Sequence, residues 1–121
     1  MTLEEVEDVV EETINNLPVE FSGALDNVGV VVEPWPTEQE FEDIKAHPTN
    51  TLLFGLYRGI PKTKRPWSYS ALPDKITIYA GPILMISKDL EDAKERIKKT
   101  VLHEIGHHFG MSDEQLRSRG I

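Results

Sequence analysis

His103-Glu104-Ile105-Gly106-His107-His108-Phe109-Gly110-Met111-Ser112-Asp113 is the stretch around which this 121-residue chain is organised. It holds His-Glu-x-x-His, a glycine three residues past the second histidine, and an aspartate three further on. A helix repeats every 3.6 residues, so His103 and His107 fall on one face, one turn apart. Stepping from His103 around such a helix puts His107 at roughly 40° and Glu104 at roughly 100°. Ile97, Val101 and Ile105 cluster between roughly 120° and 200°, so one helix carries an apolar stripe and, across from it, a polar face. His108 falls at roughly 140°, inside the stripe, and reads as a buried, hydrogen-bonded histidine instead of a third imidazole on the polar face.

Two neutral imidazoles at this spacing can bind one zinc ion. Glu104 lies beside them, placed to act on a water as a general base without being a ligand, as in metalloproteases. Catalytic zinc usually takes three protein ligands, and Asp113 is the candidate third. Gly110 accepts positive φ without steric cost and can turn the chain back. Ser112 with Gln115 forms a capping box for a last short helix, which frees Asp113 from that duty. The expected metal ligands are therefore His103, His107 and Asp113, with Glu104 catalytic, and the expected reaction is hydrolysis of a peptide or protein substrate. The same residues would also serve a non-catalytic, metal-stabilised partner-binding module or a zinc hydrolase of non-peptide amides. Two histidines and a carboxylate suit iron(II) or manganese as well, but the His-Glu-x-x-His helix favours zinc.

Working outward, Asp89 and Asp92 mark the start of the long helix, which runs to about Phe109. Lys75–Ala80 alternates and reads as a strand ended by Gly81-Pro82, with a helical turn at Ile83–Ile86. Residues 58–74 contain Gly59, Pro61, Pro66, Pro73 and Lys62-Thr63-Lys64-Arg65, and read as a long loop able to gate a cleft. Thr51–Tyr57 and Val28–Val32 read as strands, the latter closed by Glu33-Pro34-Trp35-Pro36. Residues 37–50 are acidic and irregular, with one helical turn around Glu38–Ile44. Leu3, Val6, Val9, Val10, Ile14 and Leu17 define an amphipathic helix capped by Thr2 and stopped by Pro18. Either 51–57 or 75–80 could offer an edge to an extended substrate. Tyr57, Tyr69 and Tyr79 have the chemistry to polarise a carbonyl but read as packing residues. Trp35 and Trp67 read as anchors, Trp67 also as a possible cleft wall, and His47 as an exposed loop residue.

Composition narrows the classes further. At 39% hydrophobic residues, the chain suits a single domain over 1–121 with one modest core. It has no cysteine, so thiolate metal sites are excluded. The net charge is −8, and residues 1–50 hold 13 acidic side chains against Lys45 alone. That balance opposes nucleic-acid binding and reads as a solvated acidic surface, or as one that favours basic or unfolded segments of a partner. No apolar run is long enough for a bilayer, and the acidic N-terminus is unlike a signal peptide. The expectation is a cytoplasmic protein without membrane contact; oligomeric state is not legible.

His103-Glu104-x-x-His107-x-x-Gly110-x-x-Asp113 resembles the metzincin-type zinc signature, with aspartate in place of the usual third histidine. The chain as a whole resembles the small bacterial zincin-like metallopeptidases with a minimal matrix-metalloproteinase-like domain. The supporting segments are Asn15-Asn16-Leu17-Pro18, Leu53-Phe54-Gly55-Leu56-Tyr57, Leu72–Pro82 and Thr100–Asp113. The resemblance implies an α+β, zincin-like fold: a small mixed β-sheet packed on the N-terminal helix and a long active-site helix. It also implies His103, His107 and Asp113 as zinc ligands and Glu104 as general base. True metzincins carry a methionine turn downstream of the third ligand. Here none of residues 114–121 is methionine, and Met111 precedes Asp113.

Overall fold

The computed structural model describes residues 1–17, 21, 28–43, 53–58 and 74–119. In chain order the elements are α1 (Leu3–Asn15), β1 (Val28–Glu33), α2 (Glu38–Asp43), β2 (Gly55–Arg58), β3 (Asp74–Tyr79), α3 (Ala80–Ile86), α4 (Leu90–His108) and α5 (Asp113–Ser118). The three strands form a mixed sheet in the order β1-β3-β2, with β1 parallel and β2 antiparallel to β3. The α+β architecture read from the sequence is the one observed.

β3 is central because its residues can be buried on both faces: Ile76, Thr77, Ile78 and Tyr79 are all buried. This removes 75–80 as a docking edge and leaves β2, among the described strands, as the edge on the α4 side. The core lies between sheet and helices, where Ile76 and Ile78 meet Val6, Val9 and Val10 of α1 and Ile97, Val101 and Ile105 of α4. Each such side chain contributes about 1.5–3 kcal/mol by leaving water, so the stripe on α4 fixes which way its opposite face points.

Local signals set the helix boundaries. α1 opens with a full capping box between Thr2 and Glu5 and ends at Asn15, short of the Pro18 stop. α2 is the anticipated turn, capped reciprocally by Thr37 and Glu40. Tyr79 donates its phenol to Glu40, pinning α2 to β3, and burial with this carboxylate pushes the phenol well above its usual range. α3 starts earlier than read, at Ala80. Pro82 falls in its first turn, where a missing N–H costs no helical bond. β3 ends where that helix begins. α4 begins as read, with Asp89 accepting from the Asp92 N–H. Trp35 stays half exposed, as an edge residue. The expectations at Pro18, His47, Trp67, Tyr69 and the loop over 59–73 lie outside the described residues. Among the described residues no helix is long and apolar enough to cross a membrane.

Candidate metal centre

The C-terminal end of α4 builds the site. Phe109 caps the helix, and Gly110 follows with φ of 81°, the left-handed conformation that glycine enters freely. The Gly110 N–H donates to the His107 carbonyl at 2.9 Å and the Met111 N–H to the Gly106 carbonyl at 3.0 Å. This is the paired bonding of a Schellman motif, which reverses the chain within three residues. α5 then starts with a complete capping box: Ser112 Oγ accepts from Gln115, and Gln115 accepts from the Ser112 N–H. The Asp113 side chain is left out of the cap and swings back to α4.

Its Oδ1 lies 2.9 Å from His103 Nε2 and 3.1 Å from His107 Nε2. The sequence-predicted residues His103, His107 and Asp113 thus converge on one point. Glu104 joins them from beside: potential ligand atoms of His103, Glu104 and His107 lie within 4.8 Å of one another. Glu104 and Asp113 are thus both near the histidines, with Asp113 in direct contact with each ring. Those contacts, and the burial of Glu104, argue for Asp113 as the ligand and Glu104 as the base.

The second nitrogen of His107 decides its tautomer. Nδ1 lies 3.1 Å from the Met111 carbonyl, which can only accept, so Nδ1 carries a proton and, in the neutral ring, Nε2 presents a lone pair. A lone pair facing a carboxylate oxygen at 3.1 Å needs positive charge between them. A proton on Nε2 or a divalent cation supplies it, and a nitrogen–nitrogen–oxygen donor set is one that zinc accepts. The residues therefore fit a metal. The Met111 carbonyl is the kind of outer partner that orients a ligating histidine, a role its sequence position did not disclose.

Glu104 is buried, with only 8% of its surface exposed. Burial pushes its carboxyl up to about 7, and Asp113 adds to the rise, while His107 and the Tyr57 backbone N–H pull against it. β2 supplies that N–H. The Tyr79 N–H donates to the Phe54 carbonyl at 2.9 Å, which fixes the alternation of the antiparallel ladder. Phe54, Leu56 and Arg58 face β3, and the backbone groups of Gly55 and Tyr57 turn away from it, towards α4. Gly55 makes the approach possible: a Cβ there would sit 2.8 Å from Thr100 Cγ2 and 3.0 Å from Glu104 Cγ. Gly55→Ala is expected to push Glu104 out of place, costing about 1–3 kcal/mol of stability by overpacking, as read by denaturant unfolding.

Neither described tyrosine offers its hydroxyl to the cleft. The Tyr79 hydroxyl is engaged by Glu40, and the Tyr57 hydroxyl points inward to Asp74. His108 is fully buried, as its helical phase required, and its Nδ1 lies 2.9 Å from Asp74 Oδ2. Asp74 itself went unread, because it follows Pro73 and looked like the end of a loop. The available signal was a histidine on an apolar stripe, which needs a polar partner somewhere in the core.

Two cavities flank Glu104. One, of about 600 Å³, is bordered by Leu56, Tyr57, His107, Met111 and Asp113. The other, of about 360 Å³, is bordered by Phe54, Lys99, Thr100 and His103. Gly55 and Glu104 line both.

A helix bearing two histidines, with a buried glutamate between them and a carboxylate returned by a glycine turn, is an arrangement suited to holding a metal ion beside a carboxyl. The chain belongs to the zincin-like metallopeptidase family, whose model matches residues 25–121. Among solved structures it is similar to a conserved hypothetical protein from T. thermophilus, at 24% identity and a TM-score of 0.60, over 98% of this chain and 99% of that one. At that identity the likeness establishes the fold. No curated protein matches the chain.

Proposed function

We propose that this protein is a zinc-dependent peptidase in which His103, His107 and Asp113 hold the ion and Glu104 is the general base. The observation that carries the reading is the meeting of both Nε2 atoms with Asp113 Oδ1, within reach of a buried carboxyl. When bound, zinc supplies Lewis acidity, bringing a water's pKa towards about 7 and polarising a carbonyl. Glu104 accepts the proton of the attacking water as the C–O bond forms, then delivers it to the leaving amine as the C–N bond breaks. The His107 Nδ1–H bond to Met111 keeps that imidazole oriented, and the Tyr57 N–H keeps one Glu104 oxygen fixed.

The substrate reading follows from the edge strand. β2 borders the cleft through Gly55, Leu56 and Tyr57, so an extended peptide can run beside it, with the Tyr57 N–H reserved for Glu104. Cavities on both sides of Glu104 suit a chain that continues past the scissile bond in each direction, hence internal cleavage of a peptide or unfolded protein. The acidic N-terminal half favours substrates with basic segments.

The test joins metal analysis to a cleavage screen. One equivalent of zinc is expected by elemental analysis, with cleavage of a peptide library that a chelator abolishes and zinc restores. Zinc uptake without cleavage of any peptide would favour the metal-stabilised binding module. Cleavage confined to non-peptide amides would favour the other hydrolase.

A further inference from the structure

We propose that Asp74, His108 and the Tyr57 hydroxyl form a buried brace that holds the Tyr57 backbone N–H against Glu104, making Asp74 and Tyr57 positioning residues for hydrolysis. The inference rests on the peptidase reading above and adds to it three groups that touch neither metal nor substrate.

The brace joins three elements at one point. Asp74 opens β3 and has 1% of its surface exposed; His108 closes α4 and has none. Asp74 Oδ2 accepts from the Tyr57 hydroxyl at 2.9 Å and lies 2.9 Å from His108 Nδ1. The Tyr57 hydroxyl is also 3.4 Å from that nitrogen, and the two rings meet edge to face at 5.7 Å. Tyr57 pairs with Ile76, so Asp74 is its diagonal neighbour on the same face of the sheet.

Stability alone is a poor reason for this arrangement. Removing a carboxylate from water is expensive, and an apolar cluster of the same volume is often as stable or more so. What the brace gives is position. β2 has four residues and, among the described strands, pairs with β3. β2 nevertheless has to sit directly against Glu104: a Cβ at Gly55 would lie 3.0 Å from Glu104 Cγ, Tyr57 and Glu104 line one cavity, and the Tyr57 N–H is the backbone donor to that carboxyl. The Tyr57 side chain reaches through the brace to α4, and its backbone reaches α4 again at Glu104, so β2 is gripped at both ends of one residue. His108 directly follows His107, so the turn of helix that aims one imidazole at the metal position aims the next at the brace.

Tyr57→Phe tests this, because it deletes the hydroxyl and keeps the N–H. In the zinc-loaded enzyme, kcat is expected to fall by about 10–100-fold, the range for an outer-shell partner, with KM and bound zinc unchanged. In metal-free, ¹⁵N-labelled protein, hydrogen exchange at the residue-57 amide is expected to quicken about tenfold while the Ile76 and Ile78 amides hold. Asp74→Asn should reproduce both effects, and it stands in if Tyr57→Phe fails to fold. Unchanged kcat, or exchange that quickens equally across β3, would overturn the brace. If the wild type cleaves no peptide, the peptidase reading fails and the exchange pattern alone decides the brace.

Discussion

Glu104→Gln is expected to lower kcat for peptide cleavage by about 10²–10⁴-fold while the protein still takes up one equivalent of zinc. Glutamine keeps the shape of the side chain and an oxygen to accept the Tyr57 N–H, so groove and ligand geometry persist. What it loses is a site for the proton of the attacking water. The control is metal content measured on the same preparation. A variant that has lost its zinc reports on binding; one that keeps it reports on the base. Equal cleavage by a zinc-replete Glu104→Gln enzyme would remove Glu104 from the mechanism.

The second large effect concerns the metal-free protein and pH. The Glu104 carboxyl stands at about 7 in the folded chain against an ordinary 4.5, chiefly through burial. A raised carboxyl binds its proton more tightly in the folded state, so the folded state is penalised as that proton leaves. The penalty is absent below about pH 4.5, grows between 4.5 and 7, and is complete above 7, where it reaches about 3 kcal/mol. Urea unfolding of the stripped protein should therefore show stability falling from pH 5 to pH 8 relative to Glu104→Gln. The variant should be the more stable by about 3 kcal/mol at pH 8 and no different near pH 4.5. Zinc should shrink the gap, since a cation beside the carboxylate favours its charged form. Parallel pH profiles for the two stripped proteins would show that Glu104 is solvated well enough to ionise normally.

Much of the site was legible because its signals are local. Gly110, Ser112 and Gln115 act within a few residues of themselves, and helical phase alone sent His108 into the core. The extent of β2 and the central place of β3 were harder to read. The segment Asp74–Tyr79 alternates like an outer strand, yet Thr77 is buried along with Ile76 and Ile78. Only the parallel pairing with β1, 46 positions upstream in register, explains that. Asp74 meets His108 across 34 positions and Gly55 meets Glu104 across 49, distances at which spacing in one sequence carries no information. Both are places where a polar or absent side chain is needed by a distant partner, not by its own neighbours.

The glycine turn after α4 separates two properties that are usually assumed to travel together. All three proposed ligands fall within eleven consecutive residues, so closing the metal loop costs little chain entropy and requires no sheet. The glutamate's support comes instead from β2, far away in sequence and held in place by a correctly paired β3. If the proposed site holds zinc, a chain with a frayed sheet is expected to capture it through the C-terminal helix and yet remain inert. On that reading, metal content is expected to run ahead of competence during synthesis or after heat damage, and the residue-57 amide is expected to count the active fraction of a preparation better than its zinc does.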